Sequence, residues 1–136
     1  MTRYLGTKEI NAKPMNRLDY NKFRGWDLPS DENGADDGYL VEYIAGGKAN
    51  TKEYKGYVSW SPKDVFDEAY KIYDTYLDRL NIELTELTIK VNAASKFIAS
   101  QEFEKLDSND LGLLREQVGI MNKYINILEE RIALNK

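Results

Sequence analysis

The sequence contains no cysteine and no histidine, and these two absences exclude many kinds of enzyme chemistry. Without cysteine the chain has no disulfide, no thiolate metal site and no cysteine nucleophile. Without histidine it lacks the usual general base, the serine–histidine dyad and the commonest zinc ligand. The chain therefore lacks the catalytic side chains of most hydrolase mechanisms. Metal-assisted chemistry that uses carboxylates alone stays possible.

Long apolar runs are also missing. No stretch approaches the roughly 20 apolar residues that a membrane span requires. The opening run, MTRYLGTKEINAKPM, has no apolar segment of the kind found in an export signal. We expect no membrane partner and a protein that stays in the compartment where it is made.

The chain has no excess of positive charge, because 19 basic residues stand against 23 acidic ones and the net charge is −4. Long nucleic acids are bound mainly through their phosphates and call for a basic field. We therefore expect no long nucleic acid as a partner. A small nucleotide stays possible, since two or three local arginines suffice for one or two phosphates.

Glycine is concentrated at the beginning of the chain, with seven of the nine before Trp60. This distribution predicts an α+β fold with a small module containing a β-hairpin over residues 1–60 and a helical hairpin over residues 61–136. In the module, YLGTKEINA (Tyr4 to Ala12) predicts a strand, and the runs GYLVEYIA and YKGYVSW predict a hairpin joined by the loop GGKANTKE. The run MNRLDYNKFRG predicts a short helix that Asn16 caps and Gly25 ends.

The segment PSDENGADDG is acidic and rich in turn residues. Its Asp31, Asn33 and Asp36 suggest a calcium site, but their spacing misses the EF-hand pattern and no bidentate glutamate follows. We expect a solvated loop and no metal. A metal-dependent phosphodiesterase using Asp31, Asp36 and Asp37 is the weakest functional alternative, because no histidine supports it.

Apolar residues recur at steps of three and four along the predicted first helix, at about 62–100. Ser61 is the expected N-cap and Pro62 the first helical residue. No glycine or proline interrupts the pattern, although clustered β-branched and aromatic residues leave a break near Asp74 open. The apolar positions are Phe66, Tyr70, Tyr73, Leu77, Leu80, Leu84, Leu87, Val91, Ala94 and Ile98.

The predicted second helix, at about 109–134 with Asp107 or Ser108 as its cap, carries two apolar stripes. The first is a seam for the hairpin partner and contains Leu111, Leu114, Val118, Met121, Ile125, Leu128 and Ile132. The other, which we call the second stripe, contains Leu113, Ile120, Tyr124, Ile127 and Leu134. A helix with two apolar faces needs two partners. The second partner is either the N-terminal module or, as we favour, another copy of the chain.

Glycine interrupts this second helix at two positions, Gly112 and Gly119, which are seven residues apart and share one face. A glycine inside a helix costs about 1 kcal/mol relative to alanine. We therefore expect either a close backbone approach or a ligand at this face.

The hairpin resembles a known family of phage proteins. The resemblance covers RLNIELTELTIKVNAASKFIASQEFEKLDSNDLGLLREQVGIMNKYINILEERI, from Arg79 to Ile132, and FIASQEFEKL and REQVGIMNKYINILEERI are its most specific parts. This hairpin is similar to that of phage anti-Thoeris and anti-CBASS sponge proteins. The first half, from KPMNRLDYNKFRGWDLPSDENGADDGYLVEYIAGGKAN to GYVSWSPKDVF, resembles another small phage module.

The resemblance implies a protein that is not an enzyme and needs no cofactor. It would act in the host bacterial cytoplasm as a homo-oligomer, a dimer or a hexamer, and would sequester a cyclic ADP-ribose isomer, with a second pocket type open to cyclic di- or trinucleotides. Some family members carry two arginines one turn apart late in the second helix. This chain has only Arg131 there, with Ile127 one turn earlier.

A bound nucleotide needs an aromatic surface for its base and fixed donors for its phosphates. Each candidate also has a structural interpretation: the aromatic residues could be core or interface anchors, and the polar ones could be surface or boundary residues, with Arg115 pairing with Glu116 and Arg131 with Glu130. The candidate ligand-binding residues are Arg17, Arg24, Trp26, Trp60, Phe97, Arg115, Asn122 and Arg131.

Overall fold

Three short strands form an antiparallel sheet in the computed structural model, which describes residues 1–136. Strand β2 (Gly38–Tyr43) lies in the middle, between β1 (Ile10–Pro14) and β3 (Tyr57–Pro62). The predicted hairpin is confirmed, since β2 and β3 pair from Gly38 opposite Pro62 to Tyr43 opposite Tyr57. The α+β fold class is confirmed as well.

The first strand lies later in the sequence than predicted. We expected it at Tyr4 to Ala12, whereas β1 begins at Ile10 and ends at Pro14. The reason is the length of its partner: β1 pairs with β2 from Tyr43 back to Tyr39, and residues before Ile10 have no strand opposite them. Strand propensity alone does not place a strand, because the ladder of hydrogen bonds needs a partner.

Helix α1 (Arg17–Arg24) has the predicted ends. The Asn16 side chain accepts a hydrogen bond from the backbone N–H of Asp19 at 2.8 Å, and Gly25 closes the helix with φ +71°. Two carbonyl groups of the acidic loop also cap the first turn, since Asp36 O accepts from Arg17 N and Gly34 O from Leu18 N, each at 3.0 Å. The loop thus satisfies N–H groups that a helix leaves without partners.

The core of this part of the chain lies between α1 and the sheet. Tyr20 from α1, Leu40 from β2 and Val58 from β3 are its buried members. Four partly buried residues pack against them: Met15, Phe23, Tyr54 and Trp60. Asn50 holds the outer edge of β3 by bonding both the N–H and the C=O of Val58 at 2.8 Å.

The predicted first helix over 62–100 is not continuous, because the chain leaves the helix between Tyr70 and Thr75, where the sequence had left a break near Asp74 open. Helix α2 (Lys63–Ala69) ends there and α3 (Tyr76–Ala99) begins. Phe66 of α2 stacks on Tyr39 of β2, with ring centres 3.9 Å apart. The first apolar residues of the long pattern are therefore bound to the sheet.

The predicted cap of the first helix is also wrong. Ser61 belongs to β3, and Pro62 is the residue before α2, with no side-chain cap. Proline lacks the N–H that would continue the ladder, so the strand ends where the helix begins.

Helix α3 and helix α4 (Ser108–Leu134) form the predicted hairpin, joined by a short 3-10 helix at Gln101–Lys105. Thr75 and Asp78 form a capping box at the start of α3, and Asp107 is the cap of α4. The hairpin core contains buried Leu80, Leu128 and Ile132, with Leu77, Leu84 and Leu87 packed against it.

The chain divides into two compact units, which we call the first unit (Met1–Tyr70) and the second unit (Lys71–Lys136). The division falls ten residues after the predicted position at 60/61. Helix α2 accounts for the difference, since its contacts are with β2 and β3.

Candidate functional site

An open groove of about 530 Å³ lies along α1 and β3 in the first unit. It brings together four of the eight predicted ligand-binding residues: Arg17, Arg24, Trp26 and Trp60. The other walls include Tyr20, Asn21 and Asp27, together with Glu32 and Tyr57. Volumes of 300–1,000 Å³ are typical of small-molecule sites, although such sites are usually more enclosed.

Helical spacing places the charged wall of the groove. Arg17, Tyr20, Asn21 and Arg24 are separated by steps of three, one and three residues, and residues three and four apart share a helix face. This pattern was readable in the sequence, and it identifies Tyr20 and Asn21 as groove residues that our sequence analysis missed. Tyr57 was also missed, because only the β2–β3 pairing brings it to the groove.

Arg17 is engaged on two sides. Its guanidinium lies 4.6 Å from the centre of the Trp60 ring, and Nη1 is 3.0 Å from Glu32 Oε1. Its buried Nε lies 3.7 Å from Asp36 Oδ2, which is too long for a hydrogen bond, and Nε has no other partner. Arg17 therefore ties the acidic loop to the sheet.

Trp60 is also held in place. Its Nε1–H donates a hydrogen bond of 2.7 Å to the carbonyl oxygen of Met15. Gly38 lies directly against the indole, since a Cβ at that position would be 2.4 Å from Trp60 Cζ2 and 2.3 Å from the backbone oxygen of Ser61. Trp60 is thus a fixed wall of the groove.

Arg24 and Trp26 form a second cation–aromatic pair. The Arg24 guanidinium lies 4.3 Å from the centre of the Trp26 ring, and its Nη1 donates a hydrogen bond of 3.0 Å to the Tyr20 hydroxyl group. No carboxylate lies within ion-pair distance of Arg24. Trp26 is 51% exposed, so this pair presents a free cation and an open aromatic surface together.

The remaining four predicted residues lie in the second unit, and a single chain does not bring them together. Arg115 and Asn122 are exposed on α4, whereas Phe97 and Arg131 are half-buried. Arg131 lies over the ring of Tyr76 at the start of α3, and Phe97 is 21 residues further along that helix, or roughly 31 Å at 1.5 Å per residue.

All five residues of the second stripe are exposed, from 40% for Tyr124 to 84% for Leu134. The seam residues Leu128 and Ile132 of the same helix are buried against α3. The hydroxyl group of Tyr124 donates a hydrogen bond to Glu83 of α3, which fixes the middle of the stripe. An added Cβ at Gly112 or Gly119 would meet nothing, so packing within the chain does not require these glycines.

The acidic side chains do not converge on one point. No group of three or more Asp, Glu, His or Cys residues is arranged to hold a metal ion. Two carboxyl groups have a pKa below the usual range, each because backbone N–H groups donate to it: Gly56 for Glu42, and Thr75 for Asp78. The Asp67 carboxylate raises the pKa of Lys63, and burial raises that of Tyr70. These shifts follow from local hydrogen bonds, one ion pair and burial, at separate places in the chain.

Neither long helix is a candidate for membrane insertion, since no helix in the structure is long and apolar enough to cross a bilayer.

Comparison with known proteins places the hairpin in a family. Residues 74–134 match the model of the family named Sequestin. The chain is also 38% identical over 58 residues to an uncharacterised 7.5 kDa protein of Enterobacteria phage T4, from the denB-rIIB intergenic region. This match covers 43% of the present chain and 91% of the relative. No solved structure matches the chain. The chain belongs, through its helical hairpin, to the Sequestin family.

Proposed function

We propose that this protein is a phage anti-defence sponge that binds cyclic nucleotide immune signals and holds them without cleaving them. Cyclic ADP-ribose isomers are the leading ligands, followed by cyclic di- and trinucleotides, and the place of action is the host bacterial cytoplasm. The Sequestin family name and the phage T4 relative support sequestration by a phage protein. The exposed second stripe on α4 is the observation that carries the proposal.

The second stripe supports self-association. Its residues run from Leu113 to Leu134, or roughly 31 Å of helix, and exposed apolar surface of this extent marks an interface. A second hairpin of the same sequence offers a surface of matching length and character. We therefore propose a homo-oligomer, a dimer or a hexamer.

Assembly would also complete the ligand site. Phe97 and Arg131 lie at opposite ends of one hairpin, so an antiparallel neighbour would bring one copy's aromatic residue near the other's cation. Arg115 and Asn122 would line the crevice between copies, where the stripe borders exposed polar side chains. A small cyclic nucleotide fits such a crevice by stacking its base and pairing its phosphates.

A release experiment tests sequestration directly. The purified protein is incubated with cyclic ADP-ribose isomers and cyclic oligonucleotides, washed and heated, and the released compounds are analysed by mass spectrometry. We expect intact ligand, because the protein would bind and not cleave. Recovery of a cleaved product would show an enzyme, and recovery of nothing would contradict the sponge.

An interface variant tests the link between assembly and binding. The double substitution Ile120→Gln and Ile127→Gln removes apolar surface from the second stripe and leaves the hairpin seam intact. We expect it to sediment as a monomer and to release no ligand on heating. Glu116→Gln, also exposed on α4 but outside the stripe, is the matched control and should behave as the parent. A parent chain that sediments as a folded monomer at micromolar concentration would contradict the proposal.

One observation favours a second candidate, a non-catalytic phage accessory protein that binds a host protein. Arg131, the only arginine in the last turns of α4, donates its hydrogen bond to Tyr76 within the chain. Under this alternative an oligomer forms, but no nucleotide raises the melting temperature. A bound ligand at 100 times its Kd adds about 2.7 kcal/mol of stability, so a melting screen separates the two functions.

A further inference from the structure

The two arginines of the groove in the first unit differ in whether a carboxylate already neutralises them. Arg17 is neutralised by Glu32 at 3.0 Å and lies beside Asp36. Arg24 has no carboxylate partner, and its only hydrogen bond is the one from Nη1 to the Tyr20 hydroxyl group. A guanidinium group has five N–H donors, so several of those on Arg24 stay available to an anion.

Contacts within the chain hold Arg24 in a fixed orientation. Its guanidinium is stacked on Trp26 at 4.3 Å and tied to Tyr20, a core residue that is only 6% exposed. The Trp26 ring in turn packs edge-on against the Tyr20 ring, with centres 6.0 Å apart. A donor group that is already oriented loses little entropy when it binds, which favours recognition of a planar or tetrahedral oxyanion such as phosphate.

The groove also offers aromatic surface and a free acceptor. Trp26 is 51% exposed and Tyr57 is 43% exposed, and both line the groove. The Asp27 carboxylate, next to Trp26, makes no ion pair or hydrogen bond within the chain. An aromatic ring, a fixed cation and a free carboxylate are the three groups that contact a base, a phosphate and a sugar hydroxyl group.

We infer that this groove is a nucleotide-binding site in its own right, with the base against Trp26 and the phosphate on Arg24. The inference rests on the proposed function in taking a nucleotide as the ligand, but it places a site within one chain, apart from any crevice between hairpins. The volume of about 530 Å³ accommodates one nucleotide. A free nucleotide is favoured over a nucleic acid strand because the net charge of −4 provides no basic field for further phosphates.

The chain contains its own reporter for this site. Both tryptophans, Trp26 and Trp60, line the groove, and the second unit has none. Tryptophan fluorescence and the two indole N–H signals in NMR spectra therefore report on the groove alone. The Trp60 indole N–H is bonded to Met15 and acts as an internal reference, whereas that of Trp26 should respond to ligand.

The test is a titration of the full chain with AMP, with adenosine and inorganic phosphate as partial ligands and a glutamate-rich peptide as an alternative anion. We expect AMP to shift the Trp26 indole signal and quench fluorescence, adenosine to bind more weakly, and the peptide to have no effect. Arg24→Gln should weaken AMP binding by about 10- to 100-fold, the loss expected when charge-assisted hydrogen bonds are removed.

Lys22→Gln is the matched control, because it removes the same charge from the same helix at a position outside the groove. It should leave the AMP affinity nearly unchanged. If Arg24→Gln fails to fold by circular dichroism, Trp26→Leu takes its place, with binding measured by calorimetry; it alters a half-exposed side chain and should also weaken AMP binding.

Four outcomes would overturn the site: a Trp26 signal that AMP leaves unmoved, adenosine binding as tightly as AMP, equal effects of the Arg24 and Lys22 substitutions, or a response to the peptide alone. A short oligoadenylate that binds more tightly than AMP would overturn the preference for a free nucleotide. If cyclic nucleotides are retained while the indole signals stay fixed, the sponge stands and the groove site fails. If AMP moves the Trp26 signal but no cyclic nucleotide is retained, the groove site stands and the sponge fails.

Discussion

The guanidinium group of Arg131, near the end of α4, lies 5.5 Å from the ring centre of Tyr76, the first residue of α3, and donates a hydrogen bond to its hydroxyl group. This pair closes the open end of the hairpin, opposite the 3-10 connection. A residue that the sequence marked as a candidate phosphate ligand therefore has a partner within the chain.

We expect this contact to stabilise the hairpin modestly, because both partners keep access to water. A double-mutant cycle of Tyr76→Leu and Arg131→Gln should give a coupling energy of about 0.5–1 kcal/mol in urea unfolding. Arg115→Gln is the control, since Arg115 is exposed on the same helix and should show no coupling with Tyr76. A coupling of zero between Tyr76 and Arg131 would contradict the contact.

Replacing a leucine of α4 by alanine should have different effects on stability in the two stripes. Leu128 is completely buried in the hairpin core, whereas Leu113 is 64% exposed on the second stripe. Leu128→Ala should lower the free energy of unfolding by about 2–5 kcal/mol through lost burial and a cavity. Leu113→Ala should leave the free energy of unfolding of the monomeric chain nearly unchanged. Chemical unfolding followed by circular dichroism measures both, and equal losses would show that the stripes are not distinct.

Gly38 should not tolerate a side chain. A Cβ there would lie 2.3 Å from the backbone oxygen of Ser61 and 2.4 Å from the Trp60 ring, and backbone cannot move aside cheaply. We expect Gly38→Ala to destabilise the first unit by about 1–3 kcal/mol and to shift tryptophan emission. Gly6→Ala is the control, because nothing lies within 4 Å of a Cβ at that position. An unchanged melting temperature for Gly38→Ala would contradict the packing.

Acid should weaken the start of α3. The backbone N–H of Thr75, then its hydroxyl group and the N–H of Asp74, hold the pKa of Asp78 below its ordinary value of 3.8. The folded state thus binds fewer protons than the unfolded state, so this contribution is present above pH 3.8 and is lost as pH falls through the lower, folded pKa. Asp78→Asn should flatten the fall in hairpin stability as the pH drops from about 5 to about 2.

Glu42 provides the matching experiment in the first unit. Its carboxylate accepts from the backbone N–H of Gly56 at 3.0 Å and from the Asn11 amide at 3.3 Å, and its pKa also lies below the ordinary value. Glu42→Gln should alter the acid response of tryptophan emission and leave that of the hairpin unchanged. An Asp78→Asn variant with the pH dependence of the parent would contradict the role of the capping box.

Much of the hairpin was predictable from local pattern. The seam of α4, its Asp107 cap and the ends of α1 at Asn16 and Gly25 follow from spacing and capping rules that act within a few residues. The capping box of Thr75 and Asp78 was equally predictable from the sequence. It marks the start of α3, which our predicted helix over 62–100 did not identify.

The sequence predicted how one side of the groove is formed but not how the other is. Arg17 and Arg24, two turns apart, share a helix face whatever surrounds them, and Trp26 follows in sequence. That Trp60 and Tyr57 form the opposite wall depends on strand pairing across a 13-residue loop, which no local pattern encodes. The contrast between a neutralised Arg17 and a free Arg24 depends in turn on where the acidic loop lies.

The sequence by itself determined the caps, the helical periods and the surplus of apolar side chains on α4. Only the tertiary structure decided which surface each apolar side chain meets. Phe66 and Tyr70 continue the helical period of α3, yet Phe66 stacks on Tyr39 of the sheet. The physical reason is that periodicity records which face of a helix avoids water, whereas the partner that covers this face is chosen by contacts between residues far apart in the chain.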